Sequence, residues 1–340
     1  MPEFPARGEG CGDTGMKASV SLNFAKGHFD LSCLCLAWVN VVLFMALRNA
    51  PGSVVLPWWA CQNNSSTEEA NASGEHSDPS PDGNLGPFGI QLWTLRSEMD
   101  KDPKNVLRKV AEYGYKQVEN YEGQQGLWWN MDHKEYKALC DELGLDLIAS
   151  HCNFAENFEE KAAQAAEAGM KYLVAPWVGP QKKMDDFKRI SDTFNQCGEI
   201  CKKNGLRFAY HNHDYSFQEL EGELPQDVMM QNTDPELVDF EMDIYWVVTA
   251  GADPIAWLKK YPGRWKLSHV KDRAKDAKPN ARDASCILGQ GSIDYGPILK
   301  TAKEVGMEYF IVEQEKYDGS TPFDSAKADA EFMKALVIDG

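Results

Sequence analysis

From Phe88 to the carboxyl terminus, short runs dense in apolar, β-branched and aromatic residues alternate with longer stretches whose apolar positions recur every three or four residues. The short runs fit strands and the longer ones amphipathic helices. Eight such pairs follow one another. FGIQLWTL precedes DPKNVLRKVAEYG, KQVENYE precedes HKEYKALCDELG, LDLIASHCNF precedes NFEEKAAQAAEAG, and KYLVAPW precedes MDDFKRISDTFNQCGEICKKNG. RFAYHNHDY is then followed by PQDVMMQN, VDFEMDIYWV by DPIAWLKKYP, WKLSHVKD through a long loop by YGPILKTAKEVG, and YFIVEQE by DSAKADAEFMKAL. Asp102 is placed to cap the first helix and Gly114 to stop it, and Gly144, Gly169, Gly205 and Gly306 repeat the stop.

Repeated strand and helix units of this kind predict an α/β fold, a single (β/α)8 or TIM barrel over residues 88–340. A doubly wound open sheet fits less well. No GxGxxG follows the first strand, and polar residues close nearly every apolar run instead of clustering at one switch point.

The amino-terminal residues break the rhythm. Phe29 to Leu47 is a nearly uncharged apolar run about as long as a bilayer core is thick, with Lys17 and Lys26 before it and Arg48 after it. GSVVLPWWA then ends at Cys61, and residues 62–87 are polar and rich in Pro, Gly and Ser, the composition of a disordered linker. Residues 1–61 read as a signal or anchor segment resembling a bacterial lipoprotein signal, with Cys61 as the lipidation position. The expected location is exported and membrane-tethered. Met16 and Met45 are alternative initiators, and a misassigned amino terminus would instead leave the protein in the cytoplasm.

At 340 residues and 43% hydrophobic the chain can bury one large core. The formal net charge of -17 repels phosphodiester backbones, so nucleic acid is not an expected partner, and contact with a membrane is expected only through the amino-terminal segment. Nine cysteines are scattered without the paired CxxC spacing of a structural zinc site, and Cys197 and Cys201, four apart on one helix, read as buried apolar side chains.

In a parallel barrel the carboxyl ends of all strands share one mouth. His211, Asp243, His269 and Glu313 each stand where an apolar run gives way to polar residues. Two imidazoles and two carboxylates suit one divalent ion of manganese, zinc, cobalt or iron better than calcium or a thiolate-bound metal. Residues two apart share a strand face, so His213 accompanies His211, Lys271 accompanies His269 and Glu315 accompanies Glu313. The spacing does not decide between His211 and His213 as ligand. Glu313 is the first candidate base and the non-ligating histidine of the pair the second; Lys271 is a candidate donor to a developing oxyanion. Glu119 and His151 are candidate contacts for sugar hydroxyls, and Trp177 and Trp246 candidate stacking surfaces. Glu315 and Asp272 read as rim groups that orient the ligands.

GIQLWTLR, YHNHD, the Asp243 strand, SHVKD, GQGSIDY and IVEQE together resemble the xylose isomerase-like barrel superfamily, also described as the AP endonuclease 2-like barrel. The likeness is to its sugar phosphate isomerase/epimerase members and their relatives among endonuclease IV, tagatose epimerases and inosose dehydratases, and it spans nearly the whole barrel. It implies one divalent metal held by Glu, Asp, His and Glu at strands five to eight, the last three matching Asp243, His269 and Glu313. His211 stands at the first position, where many relatives have glutamate. The resemblance implies a sugar isomerase or epimerase acting by proton abstraction next to a carbonyl, through an enediolate, on a free sugar or ketosugar. A lyase eliminating water or an aglycone from a 3-keto sugar is the alternative, and a tethered sugar-binding barrel without catalysis a further one. With His211 in place of a carboxylate, the one-base reactions fit the sequence better than a two-base epimerisation.

Overall fold

The computed structural model describes residues 85–338. Eight parallel strands close into a barrel: β1 (Gly89–Gln91), β2 (Gln117–Tyr121), β3 (Asp146–His151), β4 (Tyr172–Ala175), β5 (Arg207–His211), β6 (Val238–Asp243), β7 (Trp265–Val270) and β8 (Tyr309–Val312). Each pairs with its sequence neighbour, and β8 closes on β1 through Gly89 opposite Ile311 and Ile90 opposite Val312. The outer helices are α1 (Pro103–Tyr113), α2 (His133–Glu142), α3 (Phe158–Glu167), α4 (Met184–Lys203), α5 (Pro225–Asn232), α6 (Pro254–Lys260), α7 (Tyr295–Glu304) and α8 (Pro322–Ala335). The eight units read from the sequence are therefore present as a TIM barrel.

Local chemistry fixes where these elements begin and end. The Asp102 side chain accepts the Asn105 N–H at 3.0 Å and opens α1, with Pro103 in the first turn, where its missing N–H costs nothing. Gly114 ends the helix at φ 97°, a left-handed conformation that only glycine adopts without strain.

Two predicted strands are shorter than expected. Gln91 turns its side chain onto the Trp93 N–H, at 3.0 Å, and begins a 3-10 turn over Leu92–Leu95. IYWVV, apolar enough to continue β6, is instead a helix (Ile244–Thr249) capped by the Asp243 carboxylate on the Trp246 N–H at 3.1 Å. An apolar run by itself does not separate a buried helix from a strand. Here the capping carboxylate ends β6 at the rim.

Inside the barrel Ile148, Ala149, Tyr172, Val174, Ala209, Leu267 and Ile311 form a compact apolar cluster, separate from the larger core between sheet and helices. Two residues further along the same strands, the inward positions become His151, His211, His269 and Glu313. The apolar plug is the floor of the polar mouth. All five cysteines of the described residues are free, and Cys140, Cys152, Cys197 and Cys201 are buried.

Among the described residues no helix is long and apolar enough to cross a membrane. The apolar run at 29–47, Cys61 and the polar segment at 62–84, with the targeting and lipid-anchor expectations they carry, lie outside the described residues.

Candidate metal centre

His211 ends β5 with its ring between two partners. Nδ1 lies 3.3 Å from the Pro176 carbonyl oxygen, an acceptor that demands a proton there, so the lone pair is on Nε2. His269, on the inward face of β7, has Nε2 at 2.7 Å from Glu119 Oε2. That carboxylate accepts the hydrogen bond of the Nε2–H and leaves Nδ1 to face a cation. His211 Nε2 and His269 Nδ1 face each other at 3.1 Å. Two nitrogen lone pairs so close repel unless a proton or a cation lies between them.

Carboxylate oxygens complete the group. Asp243 Oδ2 is 3.4 Å from His211 Nε2 and 3.7 Å from His269 Nδ1, and Glu313 Oε2 is 3.3 Å from His269 Nδ1. Adjacent ligands of an ion with bonds of about 2.0–2.1 Å stand roughly 3.0–3.4 Å apart, so the spacing matches a coordination shell. Asp243 Oδ2 is buried without a hydrogen-bond partner, the position of an atom waiting for a cation. His211, Asp243 and His269 thus form a group with the donor atoms, burial and spacing of a divalent-metal site, with Glu313 at its edge.

Below it a second network locks His269. Glu119 and Glu241 are fully buried, and His151 Nε2 lies 2.8 Å from Glu241 Oε2 and 3.5 Å from Glu119 Oε1. Burial and the Glu119 charge push the Glu241 carboxyl well above its usual range. Burial acts the same way on Glu119, but His151 and His269 outweigh it and keep this carboxyl below the usual value. Sequence reasoning missed Glu241, although it stands two residues before Asp243 and therefore on the same strand face. Glu119 and His151, the candidate contacts for sugar hydroxyls, belong to this network. Their polar atoms are turned toward His269 and Glu241.

Lys271 is wholly buried beside the carboxylates, with Nζ 3.2 Å from Glu313 Oε2, 3.8 Å from Asp243 Oδ2 and in contact with Glu315. Burial alone would lower the ammonium, but Glu313, Glu315 and Asp243 outweigh it and hold Lys271 well above the ordinary lysine value. The Tyr245 and Trp246 rings, 4.8 and 4.9 Å from Nζ, add cation–π contact. Lys271 is a fixed cation and not a base. Its backbone is clamped by Tyr295, whose hydroxyl donates to the Lys271 carbonyl at 2.6 Å and accepts its N–H at 2.9 Å.

Asp272 does not reach the ligands. Its carboxylate accepts the N–H groups of Gly289, Gly291 and Ile293 at 3.0, 2.9 and 3.2 Å and so folds the GQGSIDY loop against the end of β7. A side chain at Gly291 would collide with that carboxylate, which explains the glycine.

His213 follows β5 with its ring 4.8 Å from His211, 4.4 Å from Trp177 and 5.2 Å from Trp246. Burial, reinforced by His211 and Lys271, holds its imidazole well below the usual range, and its Nδ1 has no partner. His213 is thus a neutral imidazole beside the centre, while His211 supplies the donor atom. Trp177 is half-buried with its edges on His213 and Tyr215. Trp246 is only 5% exposed and its ring already carries Lys271 and Arg282, so an open stacking face of the kind expected from the sequence is not present there.

A (β/α)8 barrel with imidazole and carboxylate donors converging at the carboxyl ends of its strands defines the class of protein. Residues 107–336 match the family model described as xylose isomerase-like TIM barrel, and the chain belongs to that family. It is 25% identical over 275 residues to an inosose dehydratase of Geobacillus kaustophilus, covering 68% of this chain and 86% of that protein. A crystal structure described as a sugar phosphate isomerase/epimerase from Parabacteroides distasonis superposes with a TM-score of 0.65 at 28% identity, covering 79% of this chain and 99% of that one. The IolI protein solved with a bound zinc atom shares the fold at a TM-score of 0.62 and 16% identity, over 74% of this chain and 98% of its own.

Proposed function

We propose that the protein is a divalent-metal-dependent enzyme that removes a proton next to the carbonyl of a keto sugar or related polyhydroxylated ring, and that the reaction proceeds by elimination of a substituent β to that carbonyl. The carrying observation is the pair of nitrogen donor atoms, His211 Nε2 and His269 Nδ1, 3.1 Å apart beside Asp243 Oδ2. His211, Asp243, His269 and Glu313 would hold the metal, which when bound polarises the substrate carbonyl. The family match and the zinc-containing fold relative support the reading without fixing the metal.

Glu313 is the base. It stands at the edge of the donor group, and Lys271 and His269 outweigh its burial to keep it ionised and ready to accept a proton. Lys271, cationic and fixed by Tyr295, offsets the negative charge that develops on the carbonyl oxygen as the proton leaves. The proton that Glu313 takes is returned to the departing oxygen, so the substituent leaves as water or an alcohol, and His213, neutral with Nδ1 unpartnered, is a hydrogen-bonding contact for a substrate hydroxyl.

Elimination is favoured over two-base epimerisation because of the residue that ends β5. His211 stands where a second base would be, and the Pro176 carbonyl fixes its tautomer with the remaining lone pair committed to the centre. The inosose dehydratase relative is a lyase by name and supports the same outcome. One-base isomerisation, part of the isomerase or epimerase expected first from the sequence, is the second reading, supported by the name of the Parabacteroides relative.

Metal content by mass spectrometry, followed by keto-sugar screening in heavy water, tests the proposal. One equivalent of transition metal, solvent deuterium in recovered substrate and release of a leaving group are expected. Deuterium incorporation without release would select the isomerase reading. No bound metal after manganese or zinc is added back would sink both. For location, residues 29–61 support a tethered, exported protein; labelled fatty acid should be incorporated into the wild type and lost in Cys61→Ser, and its absence from the wild type would remove the lipid anchor.

A further inference from the structure

The centre is sealed. Asp243, His269 and Lys271 are 0% exposed, His211 and His213 1%, Glu313 3% and Trp246 5%. A substrate can reach them only if some part of the mouth moves. The barrel strands are bound on both edges, so parting them would break ladder hydrogen bonds along their length. The roof over His213 and Trp246 is held differently.

That roof is the connection between two short antiparallel strands, Asp272–Arg273 and Ser285–Cys286. Most of residues 274–284 are exposed. Few contacts hold them down. Tyr245 Oη donates to the Arg282 carbonyl at 2.9 Å and accepts the Ala284 N–H at 3.0 Å, while the Arg273 guanidinium donates to the carbonyls of Ala277 and Lys278. Lys316 reaches the Asp283 carbonyl at 3.4 Å. The Arg282 side chain crosses the mouth: its guanidinium lies 5.8 Å from the Trp177 ring and 5.2 Å from the Trp246 ring, and its Nε is 3.3 Å from Asp214 Oδ2 on the turn after His213.

We propose that residues 274–284 are a lid over the substrate chamber, and that Arg282, paired with Asp214 across Trp177 and Trp246, is its latch. The chemistry fits a reversible closure. The pair is half-exposed at the arginine, 52%, against 11% at Asp214, so the latch itself is one solvent-accessible ion pair and two cation–π contacts, and opening further releases the hydrogen bonds of Tyr245 and Arg273 to the segment. Directly beneath lie His213 Nδ1 and Trp246 Nε1, both buried and without protein partners. They are the polar atoms a hydroxylated ring would meet as it enters under the open lid, which places the substrate between the lid and the metal ligands. This last step rests on the proposed function; the lid itself does not.

The test uses the full-length, metal-free protein and diethyl pyrocarbonate, which modifies accessible unprotonated imidazoles, with peptide mapping of His211 and His213 against His133. Arg282→Ala should raise the modification rate of His211 and His213 by about tenfold and Asp214→Asn by a smaller factor, with His133 unchanged and Arg282→Lys close to wild type. Hydrogen exchange at the 274–284 peptide should quicken in the same order while peptides from β6 and β7 stay protected. Wild-type rates at His211 and His213 in both variants would overturn the proposal. So would acceleration shared equally by His133, which would mean general loosening. Because neither readout needs metal or turnover, failure of the proposed reaction leaves this result standing.

Discussion

His269 and Glu119 are joined through the far side of the imidazole: Nε2 lies 2.7 Å from Glu119 Oε2, and the opposite nitrogen, Nδ1, points to His211 and Asp243. A single hydrogen bond from β2 thereby selects which atom of a β7 histidine is free to bind a cation. Glu119→Gln, which keeps the size and loses the charge, should weaken metal affinity by roughly 10- to 100-fold. Titration of the metal-free variant with manganese or zinc, read against the wild type, checks this.

Protons and metal compete for that same imidazole. Burial alone would lower His269, but Glu241, Glu313 and Asp243 outweigh it and hold the ring well above the ordinary histidine value in the absence of metal. A raised value means the proton is retained into higher pH, so metal must displace it. Affinity should therefore rise with pH and binding should release protons, measurable by calorimetry in buffers of different ionisation enthalpy. Affinity independent of pH from 6 to 9 would contradict the donor assignment.

Asp243 has two tasks that substitutions separate. Oδ1 caps the helix Ile244–Thr249 on the Trp246 N–H, and Oδ2 faces the histidines. Asp243→Asn should retain the cap and lose tight metal binding. Asp243→Ala should lose both, with about 1 kcal/mol of additional destabilisation of the metal-free protein. Urea unfolding beside metal analysis of the two variants distinguishes the roles.

Removing the Lys271 charge leaves Glu313, Glu315 and Asp243 facing one another without their cation. Lys271→Met should reduce kcat by about 100- to 1000-fold, the range for loss of a preorganised oxyanion donor. Breaking the buried group also costs about 3–5 kcal/mol of stability, so the comparison belongs at a temperature where melting curves show the variant folded.

Away from the centre, Asp329 on α8 accepts the Leu288 N–H at 2.8 Å and is fully buried, its other oxygen without a partner. Burial pushes this carboxyl up to about 8. The folded protein thus holds a proton that the unfolded chain releases near pH 4, and the resulting stability is present in full below that value and lost as pH rises through about 8. Asp329→Asn should remove that loss. Unfolding at pH 5, 7 and 9 should show the variant gaining on the wild type as pH increases.

Much of the site was legible because strand geometry is local. Alternation with period two put His211 with His213 and His269 with Lys271 on one face, and it equally marked Glu241, which went unread because it sits inside an apolar strand instead of at its end. Trp246 shows the opposite limit. A tryptophan after a strand reads as a platform, and only the fold reveals that Lys271 and Arg282, 25 and 36 residues later in the chain, already occupy its ring.

The sequence by itself determined the units. Apolar periodicity, Asp102 as a cap and Gly114 as a stop act over a few residues and need no partner. Tertiary structure alone decided what the units do together. Closure of β8 onto β1 brings the inward residues of all eight strands around one axis, so Glu119 and His151 turn their polar atoms to His269 and Glu241, and the Arg282 side chain meets Asp214. Those outcomes depend on contacts between residues as far apart as Glu119 and His269, and no local pattern encodes the distance at which two strands of a closed barrel bring their side chains together.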